Sequence, residues 1–134
     1  MGWENILKVS RENMSPEDKI KNKIEGLQIL YDKYKPHILK FKEALDPIHW
    51  AENWDEDMEI LETALNNNDL KDAFDTIVWF SHTVDDAFDS LRSISDNSGK
   101  HRRIFNSIDR PDNITGFRLE VDLAHSLWKQ HPDW

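Results

Sequence analysis

The chain has 134 residues and a formal charge of −9, a length typical of one domain with one hydrophobic core. It contains no cysteine, which excludes disulfides, thiolate zinc sites and a cysteine nucleophile, and which fits a reducing cytoplasm. No apolar run approaches the ~20 residues of a membrane span, and the N-terminus lacks the basic start of a signal peptide. We therefore expect a cytoplasmic protein that does not contact a membrane.

The negative charge is concentrated in the middle third of the chain. Residues 50–90 carry twelve acids and one lysine, whereas residues 1–45 and 91–134 have net charges of +2 and +1. Such a concentration predicts a sustained negative potential over one part of the surface. Because no long basic face balances it, direct nucleic-acid binding is not expected.

The N-terminal part predicts a possible arm followed by a long helix. The amphipathic opening of residues 1–14 could be one helical turn or an arm that docks Trp3 and Leu7. Ser15-Pro16 is typical of a helix start, and apolar residues then recur at steps of four and three. This stripe consists of Ile20, Ile24, Leu27, Tyr31, Tyr34, Ile38, Phe41 and Leu45. Pro36 lies inside the stripe and predicts a kink or a break near Tyr34.

Two further helices are predicted in the acidic region. Asp55-Glu56-Asp57 is typical of the first turn of a second helix, which Asn66-Asn67-Asn68 should end. Asp69 is a suitable N-cap for a third helix. Its apolar stripe consists of Leu70, Phe74, Ile77, Ser81, Val84, Phe88 and Leu91.

The C-terminal third is less clear. Residues 100–108 predict a short helix and residues 110–113 a loop. Apolar and polar residues alternate along residues 117–123, which is typical of a strand. Read as a helix, however, the same region places Phe117, Val121, Ala124 and Trp128 on one apolar stripe. A lone strand would have no partner, so a helix is favoured. We predict an all-α, single-domain helical bundle of four to five helices with a kinked long first helix.

An acidic face is the main candidate site. At ~100° per residue, the third helix gathers acids around Trp79 on the side away from its apolar stripe. The second helix adds more acids, and the face is either simply solvated or docks on a basic protein. An aromatic among charges favours docking. The predicted partner-binding residues are Asp55, Glu56, Glu59, Asp72, Asp75, Trp79, Asp86 and Asp89.

Two other groups of side chains could bind a ligand. His82 and Asp86 are spaced i, i+4, so one helix could offer metal ligands, although a histidine near carboxylates is more often simply paired. The full set of candidate metal ligands is Glu59, Glu62, Asp72, Asp75, His82 and Asp86. The basic cluster at residues 100–103 could grip a phosphate or an acidic partner, neutralise the end of the third helix, or pair with the acidic face.

Two acidic motifs resemble the core of the MazG-type nucleotide pyrophosphohydrolases. Glu59-Ile60-Leu61-Glu62 is similar to the ExxE motif of that all-α family, and Asp72-Ala73-Phe74-Asp75 is similar to its later ExxD motif. Asp72 stands where the family has a glutamate. The resemblance implies an enzyme that holds Mg²⁺ with these four acids; outside it, no cofactor is expected.

The opening Trp3-Glu4-Asn5-Ile6-Leu7-Lys8 and the small acidic helical design resemble small phage-encoded proteins, including host-defence inhibitors such as anti-CRISPRs. The function we predict is binding, and inhibition, of a basic nucleic-acid-binding protein through the acidic face. The alternatives are the metal-dependent hydrolase above and a structural or assembly subunit that oligomerises through the stripe of the first helix.

Overall fold

The computed structural model describes residues 15–108 and 110–131, and these form five α-helices without a strand. The helices are α1 (Pro16–Leu45), α2 (Trp54–Asn66), α3 (Leu70–Ser95), α4 (Gly99–Asn106) and α5 (Pro111–Gln130), with a 3₁₀ turn at Asp46–Ile48. The predicted all-α bundle with a long first helix is confirmed. The N-terminal arm predicted for residues 1–14 lies outside the described residues.

The helix boundaries follow local chemistry. The Ser15 hydroxyl accepts a hydrogen bond from the Asp18 N–H at 3.1 Å, with Pro16 in the first helical position. The Asp69 carboxylate accepts one from the Asp72 N–H at 3.2 Å. Between α2 and α3, Asn68 has a φ of 54°, a left-handed conformation that asparagine tolerates well. These caps confirm the predicted starts of α1 and α3.

Pro36 does not break the first helix. α1 (Pro16–Leu45) is one uninterrupted helix, so the predicted break near Tyr34 is wrong. A kink at this position stays a prediction. Proline removes one backbone hydrogen bond, but Tyr34 and Ile38 on either side of it are both buried in the core. Tertiary packing of the apolar face outweighs the local loss.

The core is built from the predicted stripes. All members of the α1 stripe are buried except Ile20, which is 39% exposed. α3 packs against each of the other four helices and supplies the centre of the bundle. Phe80 packs edge-on against both Trp54 of α2 and Phe117 of α5. This central position explains why one side of α3 must be apolar, leaving its charges on the other.

The C-terminal segment corrects one prediction and confirms another. Residues 110–113 are not a loop, because α5 begins at Pro111, whose fixed φ suits a first helical position. Residues 117–123 are helical, with Phe117 and Val121 buried. Their strand-like alternation arises because Leu119 and Leu123 lie on the outer face, 67% and 44% exposed. Across the described residues, no helix combines the length and the apolar character needed to cross a membrane.

Candidate acidic interaction surface

The outer face of α3 carries the predicted acids and one large aromatic. Asp72, Asp75 and Asp86 are exposed, and Trp79 is 67% exposed among them. His82 and Asp89 are partly buried toward the sides of the helix. The buried residues of α3, including Ala73, Ile77, Phe80 and Val84, lie on the opposite side. The sequence periodicity therefore placed the charged face of this helix correctly.

α2 lies beside α3 and adds its own carboxylates. Asp55, Glu56 and Glu59 are exposed, and the two helices form an antiparallel hairpin closed by a hydrogen bond from the Asp69 N–H to the Ala64 carbonyl at 2.9 Å. Glu59 and Asp72 line one shallow cleft together with Ile60, Thr63, Ala64, Asn67 and Asp69. This cleft therefore brings a carboxylate of α2 and a carboxylate of α3 together, Glu59 and Asp72.

Lysines of α1 neutralise part of the charge on α2. Lys42 Nζ lies 3.1 Å from an Asp55 carboxylate oxygen, and Lys35 Nζ lies 3.0 Å from one of Glu62. The Tyr31 hydroxyl also donates to Glu62 at 2.9 Å. Burial alone would raise the pKa of Glu62, but the hydrogen bonds from Lys35 and Tyr31 and the Lys35 charge lower it below its usual value. Asp55 and Glu62 are therefore already ion-paired with lysines of α1.

Arg118 of α5 neutralises part of the charge on α3. Its Nη1 donates to Asp85 at 2.8 Å and lies 3.6 Å from an Asp86 oxygen, and its Nε lies 3.7 Å from Asp122. Asp122 also pairs with His82 Nε2 at 2.9 Å. Sequence reasoning missed Arg118. The signal that could have found it is a single arginine i, i+4 from Asp122 on a helix next to an acidic one.

Four acids of the candidate surface lack such a partner. Glu56, Glu59, Asp72 and Asp75 make no ion pair with any residue in 15–108 or 110–131. Asp89, in contrast, pairs with Arg92 at 3.1 Å. We use the name acidic surface for Glu56, Glu59, Asp72 and Asp75 together with Trp79.

Carboxylates are also crowded at the start of α2. Asp57 is partly buried beside Glu56. Burial raises the pKa of Asp57, and the negative charge of Glu56 raises it further. Burial is the larger of the two causes.

The candidate metal ligands do not converge on one point. Glu62 contacts α1, Glu59 and Asp72 line the cleft between α2 and α3, and Asp75 lines a groove with Phe74 and Trp128. His82 pairs with Asp122 of α5. Within the part of the chain that the structure describes, no three histidine, aspartate or glutamate side chains form a group that could hold a metal ion.

Within the basic cluster at residues 100–103, Arg102 binds the end of a neighbouring helix. Arg102 donates from Nε to the Ser95 carbonyl and from Nη2 to the Asp96 carbonyl, both at 3.1 Å. These carbonyls belong to the C-terminal end of α3, whose partial negative charge the guanidinium offsets. Among the interpretations of this cluster, the geometry of Arg102 matches neutralisation of the end of the third helix.

No protein-family model, curated protein or solved structure matches this chain. The resemblances to MazG-type enzymes and to phage-encoded inhibitors stay predictions.

Proposed function

We propose that this chain is a small cytoplasmic binding protein that docks its acidic surface on a basic, nucleic-acid-binding protein and inhibits it, in the manner of phage-encoded inhibitors such as anti-CRISPRs. In the complex, Glu56, Glu59, Asp72 and Asp75 occupy positions that nucleic-acid phosphates would otherwise take. Arginine and lysine side chains bind carboxylates and phosphates through the same charge-assisted hydrogen bonds.

The exposure of Trp79 is the observation that supports this proposal most. Its side chain is 67% exposed in the middle of the charged face of α3. A tryptophan left in water gains nothing from its large apolar area, whereas the same ring covered by a partner contributes strongly to binding. Tryptophan is enriched among the residues that dominate protein interfaces.

The unpaired state of the four carboxylates supports it further. Asp55, Glu62 and Asp85 would have to break an internal ion pair before they could bind a partner. The four acids of the acidic surface need only lose water. The resulting potential steers a basic partner toward this side of the bundle, and this steering weakens as salt is added.

The test is affinity capture of basic nucleic-acid-binding proteins at low and high salt, with the wild-type chain and with Glu59→Gln/Asp72→Asn. We expect the wild-type chain to retain such a protein at low salt and to release it as salt rises. The double variant should retain much less. A DNA or RNA oligonucleotide should displace the captured protein, because it competes for the same basic groove.

The matched control is Glu25→Gln/Glu43→Gln, which removes two exposed carboxylates from α1 instead. If this control weakens capture as much as Glu59→Gln/Asp72→Asn does, only net charge matters and the assignment to the acidic surface is wrong. If oligonucleotides do not compete, the inhibitory part of the proposal is wrong.

The two alternatives have separate tests. A metal-dependent hydrolase would release pyrophosphate from a nucleotide panel with Mg²⁺ or Mn²⁺ and lose this activity in Glu62→Gln. An assembly subunit would be a stable homo-oligomer by light scattering. Seven of the eight apolar residues in the α1 stripe are already buried inside this chain, so the stripe is not free to pair with a second copy in this fold.

A further inference from the structure

A groove at one end of the bundle exposes apolar side chains that belong to the core stripes. It lies between the start of α1, the start of α3 and the end of α5, and has a volume of about 550 Å³. Ile20 in its wall is 39% exposed, and Leu70 and Phe74 are partly exposed. Apolar surface that is accessible to a docking segment is therefore present in this groove.

The position of these residues in their stripes suggests a missing cover. Ile20 is the first residue of the α1 stripe, and Leu70 and Phe74 are the first two of the α3 stripe. Further along the same stripes, Tyr31 and Ile77 are fully buried by the other helices. Exposed core positions at the beginning of two helices that pack together indicate that a further apolar element covers them.

The charges around the groove are balanced. The wall includes two lysines and two aspartates, Lys23, Lys71, Asp69 and Asp75. Lys23 Nζ lies 5.8 Å from the centre of the Trp128 ring. Burial lowers the pKa of Lys23, and the charge of Lys19 lowers it further, so this amine is already partly withdrawn from water. Such a groove favours an occupant with an apolar centre and little net charge.

The N-terminal segment, residues 1–14, has these properties. It lies outside the described residues and directly precedes Ser15, the N-cap of α1, about one turn before Ile20. Its apolar residues Trp3, Ile6 and Leu7 have the spacing of one helical face. Its charged residues are also balanced, with Glu4 and Glu12 against Lys8 and Arg11.

The segment is long enough to reach the groove. The residues between Leu7 and Ser15 span up to roughly 23 Å when extended, whereas Ile20 lies only ~7 Å along the helix axis from Ser15. The chain can therefore reverse direction and place Leu7 over Ile20. Because a short tether gives a millimolar effective concentration, a contact that is weak between separate molecules is well populated here.

We propose that the N-terminal segment covers this groove, with Trp3, Ile6 and Leu7 packed against the exposed apolar residues of its wall, Ile20, Leu70 and Phe74. The segment thereby completes the core at the end of the bundle where the stripes of α1 and α3 begin. Asp75 belongs to both the groove and the acidic surface, but docking of the segment requires no partner protein.

The experiment is two-dimensional NMR of the full chain, in which nuclear Overhauser contacts between aromatic rings and methyl groups are measured. We expect contacts from the Trp3 ring to the methyl groups of Ile20 and Leu70, with relative intensities that do not change on dilution. Contacts from Trp134 in place of Trp3 would assign the groove to the C-terminal end of the chain. Contacts that vanish on dilution would assign it to a second copy. Either result, or no contact from Trp3 to these methyl groups, overturns the proposal.

A double-mutant cycle of unfolding equilibrium constants tests the same contact energetically. Trp3→Ala and Ile20→Ala should each lower the folding equilibrium constant, and their effects should be coupled by about fivefold. The matched control combines Trp3→Ala with Leu39→Ala, since Leu39 is 43% exposed on the same helix but ~28 Å away from Ile20. This pair should be independent to within about twofold. Independent effects of Trp3→Ala and Ile20→Ala, or equal coupling in the control pair, would also overturn the proposal.

Discussion

Arg118 Nη1 donates a hydrogen bond to Asp85 Oδ2 at 2.8 Å, and this contact joins α5 to α3. The Asp85 side chain is only 13% exposed. Hydrogen bonding to Asp85 is the main cause that raises the pKa of Arg118. One arginine thus keeps a nearly buried carboxylate satisfied while also lying near two exposed ones.

Replacing Arg118 should destabilise the fold. Arg118→Met leaves the Asp85 carboxylate buried without a partner, and we expect the free energy of unfolding to fall by about 2 kcal/mol. Urea denaturation measures this free energy of unfolding. The control Arg103→Met removes an exposed arginine that donates only within its own helix, at 3.4 Å to the Gly99 carbonyl, and should change stability by less than about 0.5 kcal/mol. Equal losses in both variants would contradict the importance of the Arg118–Asp85 contact.

The contact between Lys35, Tyr31 and Glu62 should appear as a pH dependence of stability. The pKa of Glu62 is lower in the folded state than its ordinary value of 4.5. Its contribution is therefore fully present above pH 4.5 and is lost as the pH falls through the folded-state pKa. The stability difference between the wild-type chain and Glu62→Gln should shrink as the pH is lowered through this range. Glu59→Gln is the control; an identical pH profile for both variants would argue against the assignment.

Gly116 allows α5 to approach α1 closely. A Cβ added at this position would lie 3.1 Å from the hydroxyl oxygen of Tyr34, closer than ordinary van der Waals contact. Alanine favours a helix by about 1 kcal/mol over glycine, but here the contact opposes that gain. We expect Gly116→Ala to be more favourable in a Tyr34→Phe background than in the wild-type chain. A double-mutant cycle of unfolding free energies measures this coupling, and additive effects would contradict the close contact.

Pro36 should carry a local cost within α1. Pro36→Ala restores the missing N–H and removes the ring from the preceding turn, so we expect the free energy of unfolding to rise by about 1–2 kcal/mol. Thermal and urea denaturation check this. Glu43→Ala, at another exposed position of α1, should change stability by less than about 0.5 kcal/mol. A loss of stability in Pro36→Ala would show that the helix needs the proline.

Trp79 should contribute to partner binding without contributing to folding. Trp79→Ala should leave the thermal midpoint nearly unchanged and weaken capture of the partner at least about tenfold. Leu119→Ala is a matched control, because Leu119 is also 67% exposed but lies on α5. The measurement is the dissociation constant for the captured partner, compared among the wild-type chain, Trp79→Ala and Leu119→Ala. Unchanged binding in Trp79→Ala would remove the strongest support for the acidic surface as an interface.

The failures of the sequence interpretation have identifiable causes. Pro36 locally predicts a break in α1, but the helix continues because Tyr34 and Ile38 on either side of it pack into the core. The sequence around Pro111 predicts a loop, but Pro111 occupies the first position of α5, where a missing N–H costs nothing. Both errors arise because the effect of a proline on a helix depends on its position in the helix and on the packing of its neighbours.

The sequence by itself determined the all-α class, the caps of α1 and α3, and which faces of α1 and α3 point to the core. These properties are local, because a repeat of 3.6 residues and a capping side chain act within a few residues of the chain. Only the tertiary structure decided which carboxylates stay unpaired. Lys35 and Lys42 reach α2, and Arg118 reaches α3, because of how the helices pack against one another. That arrangement depends on side-chain packing between residues distant in sequence, which no local pattern encodes.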